Sequence, residues 1–158
     1  ALLNTWKTSD PHQRLHLPDK NPFIPTDFEL CERDTSGDKV PSVIKDTSLS
    51  RMWFKQDDEY LLPKANINFE IMSPLAYVTP YHASINYLFV ELFEDDINEY
   101  LYPAELAGMR YSIANTKYGI NVNVDGYHDK QKTLLDKIFT RLTEYQVDED
   151  RFKILKEA

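Results

Sequence analysis

A chain of 158 residues is long enough to bury the core of one domain, and its 42% hydrophobic and 13% aromatic content excludes extended disorder away from the ends. Its 18 basic and 26 acidic residues leave a net charge of −8, which repels phosphate backbones and anionic bilayers. Neither nucleic acid nor a membrane is therefore an expected partner.

No apolar stretch approaches the roughly 20 residues of a membrane span, and the start A-L-L-N-T-W-K lacks the regions of a signal peptide. The single Cys31 sits in the polar run C-E-R-D-T-S-G-D and has no internal partner, which fits a reducing compartment and a cytoplasmic location. The chain opens at Ala1 without Met and closes on I-L-K-E-A inside a helical pattern with no Gly or Pro stop. A piece of a longer protein is the expectation.

Residues 1–42 read as a linker, most clearly from residue 11 onward, where Pro11, Pro18, Pro22, Pro25 and Pro41 interrupt the chain. Proline fixes φ and removes a donor, so "LPDKNPFIPTDFEL" is expected to be extended, with Leu17, Phe23, Ile24 and Phe28 as apolar anchors. Residues 43–158 then form an α/β domain, truncated at its C-terminal end. "RMWFKQ" reads as an aromatic strand, "DDEYLLPK" as a hairpin loop, and "ANINFEI" as a second strand. The latter alternates, with Ala65, Ile67, Phe69 and Ile71 on one face and Asn66, Asn68 and Glu70 on the other.

Thr79-Pro80 is a helix start, and Tyr81, Ile85, Leu88, Phe89, Leu92, Phe93 and Ile97 follow at helical spacing. Apolar residues cover enough of that helix to predict burial on more than one side. Pro103 is expected to kink it or begin a second helix, and Gly108 to stop it. "RYSIANTKYG" and "INVNVDGY" read as strands, the second placing Ile120, Val122 and Val124 inward and Asn121, Asn123 and Asp125 outward. Asp129 is expected to cap a helix that buries Leu134, Leu135, Ile138, Phe139 and Leu142. Asp148 caps the last helix, with Val147 and Phe152 forming a hydrophobic staple. The order β-β-α-β-β-α-α is an α+β fold, an antiparallel sheet with helices packed on one face.

Chemistry is sparse. His12 and His16 in H-Q-R-L-H have the spacing of helical zinc ligands, but Gln13 replaces the catalytic Glu and prolines flank the pair, so solvated linker histidines are expected. His82 reads as a helix-surface group and His128 as an exposed turn residue. The acids Glu91, Glu94, Asp95, Asp96 and Glu99 lack the Glu-x-x-His partners of a two-metal bundle and read as a solvated face. Cys31 has no electropositive setting that would make it a nucleophile. Adjacent Asp57 and Asp58 would point to opposite faces of a strand, so they are expected to accept backbone N–H groups in a turn.

One collective feature stands out. Asn66, Asn68, Glu70, Asn121, Asn123 and Asp125 populate the sheet face turned away from the helices, although Asn is depleted in strands. An ordinary wet sheet face is one reading; a face that receives an extended peptide or lines a cavity is the other.

The blocks "FIPTDFEL", W-F-K-Q-D-D…P-K-A-N-I-N-F-E-I-M-S-P, N-E-Y-L-Y-P-A-E-L-A-G-M-R-Y and D-E-D-R-F-K-I-L-K-E-A resemble the insulysin–pitrilysin–nardilysin family, over residues 15–158. That resemblance implies a parent zinc metalloendopeptidase with an inverted H-x-x-E-H motif, degrading peptides such as insulin. It implies four homologous α/β domains in two halves, joined by an extended linker around a chamber. Residues 11–30 then match the linker and the remainder the first part of the catalytically silent third domain.

No H-x-x-E-H occurs in the 158 residues, so no catalytic residue, zinc ligand or cofactor-binding residue carries over. Zinc would belong to the parent and not to this piece. The implied partners are peptide substrates and the catalytic half of the same chain. The polar sheet face becomes a candidate chamber wall. The alternatives are an inactive structural or peptide-binding relative, or a stand-alone peptide-binding module.

Overall fold

The computed structural model describes residues 17–32, 37 and 39–157. Among the described residues, five strands and three helices follow the order β1 (Ser42–Asp46), β2 (Arg51–Phe54), β3 (Lys64–Met72), α1 (Pro80–Leu106), β4 (Arg110–Asn115), β5 (Gly119–Tyr127), α2 (His128–Glu144) and α3 (Glu149–Glu157). The α+β class and the antiparallel pairing expected from the sequence are present. The first hairpin is different.

The strand β2 pairs with β1, not with β3, and the two form a separate antiparallel ribbon. "SVIKD" was not expected to be a strand. It becomes one because Thr47 and Ser50 close a tight turn, Thr47 N donating to the Ser50 carbonyl at 2.9 Å. Residues 55–63 therefore link two sheets and are not a hairpin loop.

The main sheet has the order β3-β5-β4, antiparallel throughout. Ile67 pairs with Val124 and Phe69 with Val122, so the apolar faces of the alternating strands coincide. On that face Val122 and Val124 are fully buried, and the Phe69 ring meets Phe139 of α2 edge-on at 5.2 Å. Leu134 and Ile138 of α2 and Phe93, Ile97, Leu101 and Ala104 of α1 complete the core. Gln131, the buried polar residue of α2, donates Nε2 to the Ala65 and Gly126 carbonyls and so joins the helix to two strands.

Helix α1 starts as expected: the Thr79 hydroxyl accepts from His82 N, with Pro80 in the first turn. Its early turns are not buried all round, since Tyr81, Ile85 and Tyr87 are exposed. Pro103 neither kinks the chain into a second element nor ends the helix, because in the last turn it removes only one hydrogen bond. Gly108, at φ +80°, then turns the chain into β4. Asp148 Oδ1 accepts from Asp150 N and Arg151 N at 2.9 Å and opens α3, yet Val147 and Phe152 remain exposed and no buried staple forms.

Gly119, where β5 begins, has φ +153°, and a Cβ there would lie 1.9 Å from the Ile71 carbonyl oxygen. Only glycine permits that approach of β3 to β5.

Candidate functional site: the polar sheet face

The face of the main sheet opposite the helices is built by the register. Asn66 stands opposite Asp125, Asn68 opposite Asn123 and Glu70 opposite Asn121. From β4, Arg110, Ser112 and Ala114 oppose Asp125, Asn123 and Asn121 and share this face by the pleat. The six residues singled out in the sequence thus form one contiguous surface.

Their side chains bond both diagonally and directly across the strands. Asn68 and Asn121 exchange two amide hydrogen bonds, at 3.0 and 3.3 Å, and Asn121 Nδ2 also donates to Glu70 Oε2 at 2.9 Å. Asn123 Nδ2 donates to Asn66 Oδ1 at 3.2 Å. At the far end Thr116 Oγ1, in the β4–β5 turn, donates to Glu70 Oε1 at 2.5 Å. Such a lattice holds its amides in fixed orientations while each keeps spare donor and acceptor capacity. Thr116 was not marked by the sequence, because its partner Glu70 lies 46 positions away.

At the other end the register closes with Lys64 opposite Tyr127. Lys64 Nζ lies 5.2 Å from the centre of the Tyr127 ring, and Phe28 meets the same ring edge-on at 5.5 Å. Among the proposed linker anchors, Phe28 is half exposed despite that contact, and Phe23 is only 1% exposed and belongs to the core. Leu17 is 88% and Ile24 55% exposed, so neither is a buried anchor.

The other candidate groups are structural. Asp57 Oδ1 accepts from Glu59 N and Tyr60 N at 3.0 Å, which holds its carboxyl below the usual range, and Asp58 pairs with Lys55 at 3.2 Å. Asp57 thus accepts backbone N–H groups as expected, whereas Asp58 faces the Lys55 ammonium. The acidic run on α1 is not merely solvated. Asp96 receives a bidentate pair from Arg141 of α2, and Asp95 a bidentate pair from Arg151 of α3. Each pair raises its guanidinium further above the ordinary value. Glu94 Oε1 accepts from Ile113 N of β4 at 3.4 Å. His82 Nδ1 lies 2.8 Å from the Thr79 hydroxyl, and His128 lends its backbone N–H to the Pro63 carbonyl. His12 and His16 lie outside the described residues.

Residues 1–158 match the family model described as the middle or third domain of peptidase_M16. The chain belongs to the peptidase M16 family. Insulin-degrading enzyme of Homo sapiens is 48% identical over 157 residues, covering 99% of this chain and 15% of its own length. A Schizosaccharomyces pombe protein named as a zinc protease is 36% identical over 143 residues, covering 90% of this chain and 15% of its own. The crystal structure of pitrilysin shares the fold, with a TM-score of 0.82 at 24% identity, over 90% of this chain and 15% of that one.

This peptidase M16 domain therefore spans about 15% of the length of the curated relatives it matches. Among its described residues no three His, Cys, Asp or Glu side chains come together as a metal site, and the sequence holds no H-x-x-E-H. No hydrolytic step is assigned to the described residues.

Proposed function

We propose that this peptidase M16 domain is a non-catalytic part of an insulysin-like zinc metalloendopeptidase, and that its polar sheet face forms part of the wall of the chamber that receives peptides. Zinc and the H-x-x-E-H motif would lie elsewhere in the parent, on a catalytic half that this domain contacts, in a reducing compartment such as the cytoplasm. The observation that carries the reading is the asparagine lattice: four residues poorly suited to strands occupy one open face of a domain from a peptidase family. Oriented carboxamides offer a peptide backbone both donors and acceptors without a sequence preference.

The test is made in the full-length parent. Replacing Asn68 and Asn123 together by Leu is expected to change kcat/KM for peptide cleavage by about tenfold, with folding stability altered far less. Unaltered kinetics would leave the face an ordinary wet surface. The second reading, an inactive structural relative, is decided by the flanking sequence: loss of H-x-x-E-H there would establish it. The isolated chain with added zinc is expected to hydrolyse no peptide.

A further inference from the structure

We propose that residues 21–29 are a strap latched by the Asp129 carboxylate, and that the strap covers the Tyr127 end of the polar sheet face. Asp129 lies in the first turn of α2, where it was expected to cap its own helix. The helix instead begins with no side-chain cap. A single oxygen, Asp129 Oδ2, accepts from Thr26 N at 2.8 Å, Asp27 N at 3.2 Å and Thr26 Oγ1 at 3.3 Å. Lys130 Nζ stands 3.1 Å from the same oxygen and 3.5 Å from Thr26 Oγ1.

The donors lie more than 100 positions away in sequence, so their convergence on one carboxylate oxygen is a tertiary contact and not a local turn. Hydrogen bonds to an ionised acceptor are the stronger kind, and three of them hold a segment that has no strand partner of its own.

The strap has a second, independent attachment. Asn21 Nδ2 donates to the Pro103 carbonyl at 2.6 Å, Asn21 Oδ1 accepts from Phe23 N at 2.9 Å, and the Phe23 ring is buried with Lys137 Nζ 5.4 Å above it. That end is fixed by apolar burial; the Asp129 end is fixed by charge at the surface. The two can therefore be separated. Opening the Asp129 contact frees residues 26–29 while Phe23 stays seated, and it withdraws Phe28 from Tyr127. Tyr127 is partly buried and closes the polar side of the register opposite the already exposed Lys64, so an open strap uncovers the Tyr127 ring. Only this last consequence rests on the peptide-wall reading; the latch itself does not.

Hydrogen–deuterium exchange on this chain tests the latch. In Asp129→Ala, and more mildly in Asp129→Asn, the Thr26 and Asp27 amides are expected to exchange at least about tenfold faster, while amides of β5 and α2 keep their rates. The Tyr127 ring resonances are expected to move in both variants. Phe28→Ala should move the Tyr127 resonances without accelerating Thr26. Unchanged exchange at Thr26 and Asp27, or equal acceleration throughout β5 and α2, would overturn the latch. Fast strap amides with unmoved Tyr127 resonances would overturn the cover.

Discussion

The β1–β2 ribbon and the β3-β5-β4 sheet are both antiparallel, yet they differ in what covers them. In the main sheet, the apolar side of β3 and β5 lies under α1 and α2, and Val122 and Val124 are fully buried. In the ribbon, every residue of both strands is exposed, including Trp53 at 60% and Phe54. Apolar residues stabilise a sheet only when another layer removes them from water, and a lone two-stranded ribbon is marginal. The two regions therefore carry different shares of the stability of this chain.

Four substitutions would break or sharpen that contrast. The largest effect is expected at Gly119→Ala, where the new Cβ meets the Ile71 carbonyl oxygen and the backbone stands at φ +153°; a loss of about 4 kcal/mol or outright unfolding should appear in urea denaturation. Leu134→Ala, which opens a cavity under the sheet, should cost about 3 kcal/mol by the same assay. Gln131→Ala leaves the Ala65 and Gly126 carbonyls without that donor and should cost about 2 kcal/mol, with faster amide exchange where α2 meets β3. Trp53→Ala should change stability by less than about 0.5 kcal/mol. A Trp53 effect as large as that of Leu134 would mean that the ribbon is covered in solution.

Acid sharpens the same picture at the strap. Hydrogen bonds from Thr26 N–H first, then Lys130 and Asp27 N–H, hold the Asp129 carboxyl far below its ordinary value of 3.8. A depressed folded-state value gives a stabilisation that is complete above the ordinary value and is lost progressively as pH falls from there towards the folded value. Lys130 is the cation that faces the carboxylate. Exchange at Thr26 and Asp27 is thus expected to follow only its intrinsic pH dependence from neutrality down to the ordinary carboxylate range. Extra acceleration above that range would show a weaker latch.

What the sequence revealed, and what it hid, follows from how far apart the interacting residues lie. The alternation of "ANINFEI" and "INVNVDGY" encodes both the buried and the polar face, so β3, β5 and the six polar positions were legible before any pairing was known. Thr79-Pro80 and Asp148 were legible because a cap acts on residues two or three positions on. Asp129 looked identical to such a cap, but its donors come from the strap more than 100 residues earlier. Separations of 56 and 45 positions likewise hid the pairing of Asp95 with Arg151 and of Asp96 with Arg141. Strand β1 was missed for a different reason: "SVIKD" is short and uncovered, so no burial pattern marks it.

The polar face as a peptide-facing wall is tested most directly by photo-crosslinking in the full-length parent. With p-benzoylphenylalanine in place of Asn68, ultraviolet irradiation in the presence of a peptide substrate is expected to join the peptide to that position, while the same group in place of the exposed Tyr87 on α1 captures none. A parent that cleaves the peptide normally yet gives no crosslink at position 68 would contradict the account.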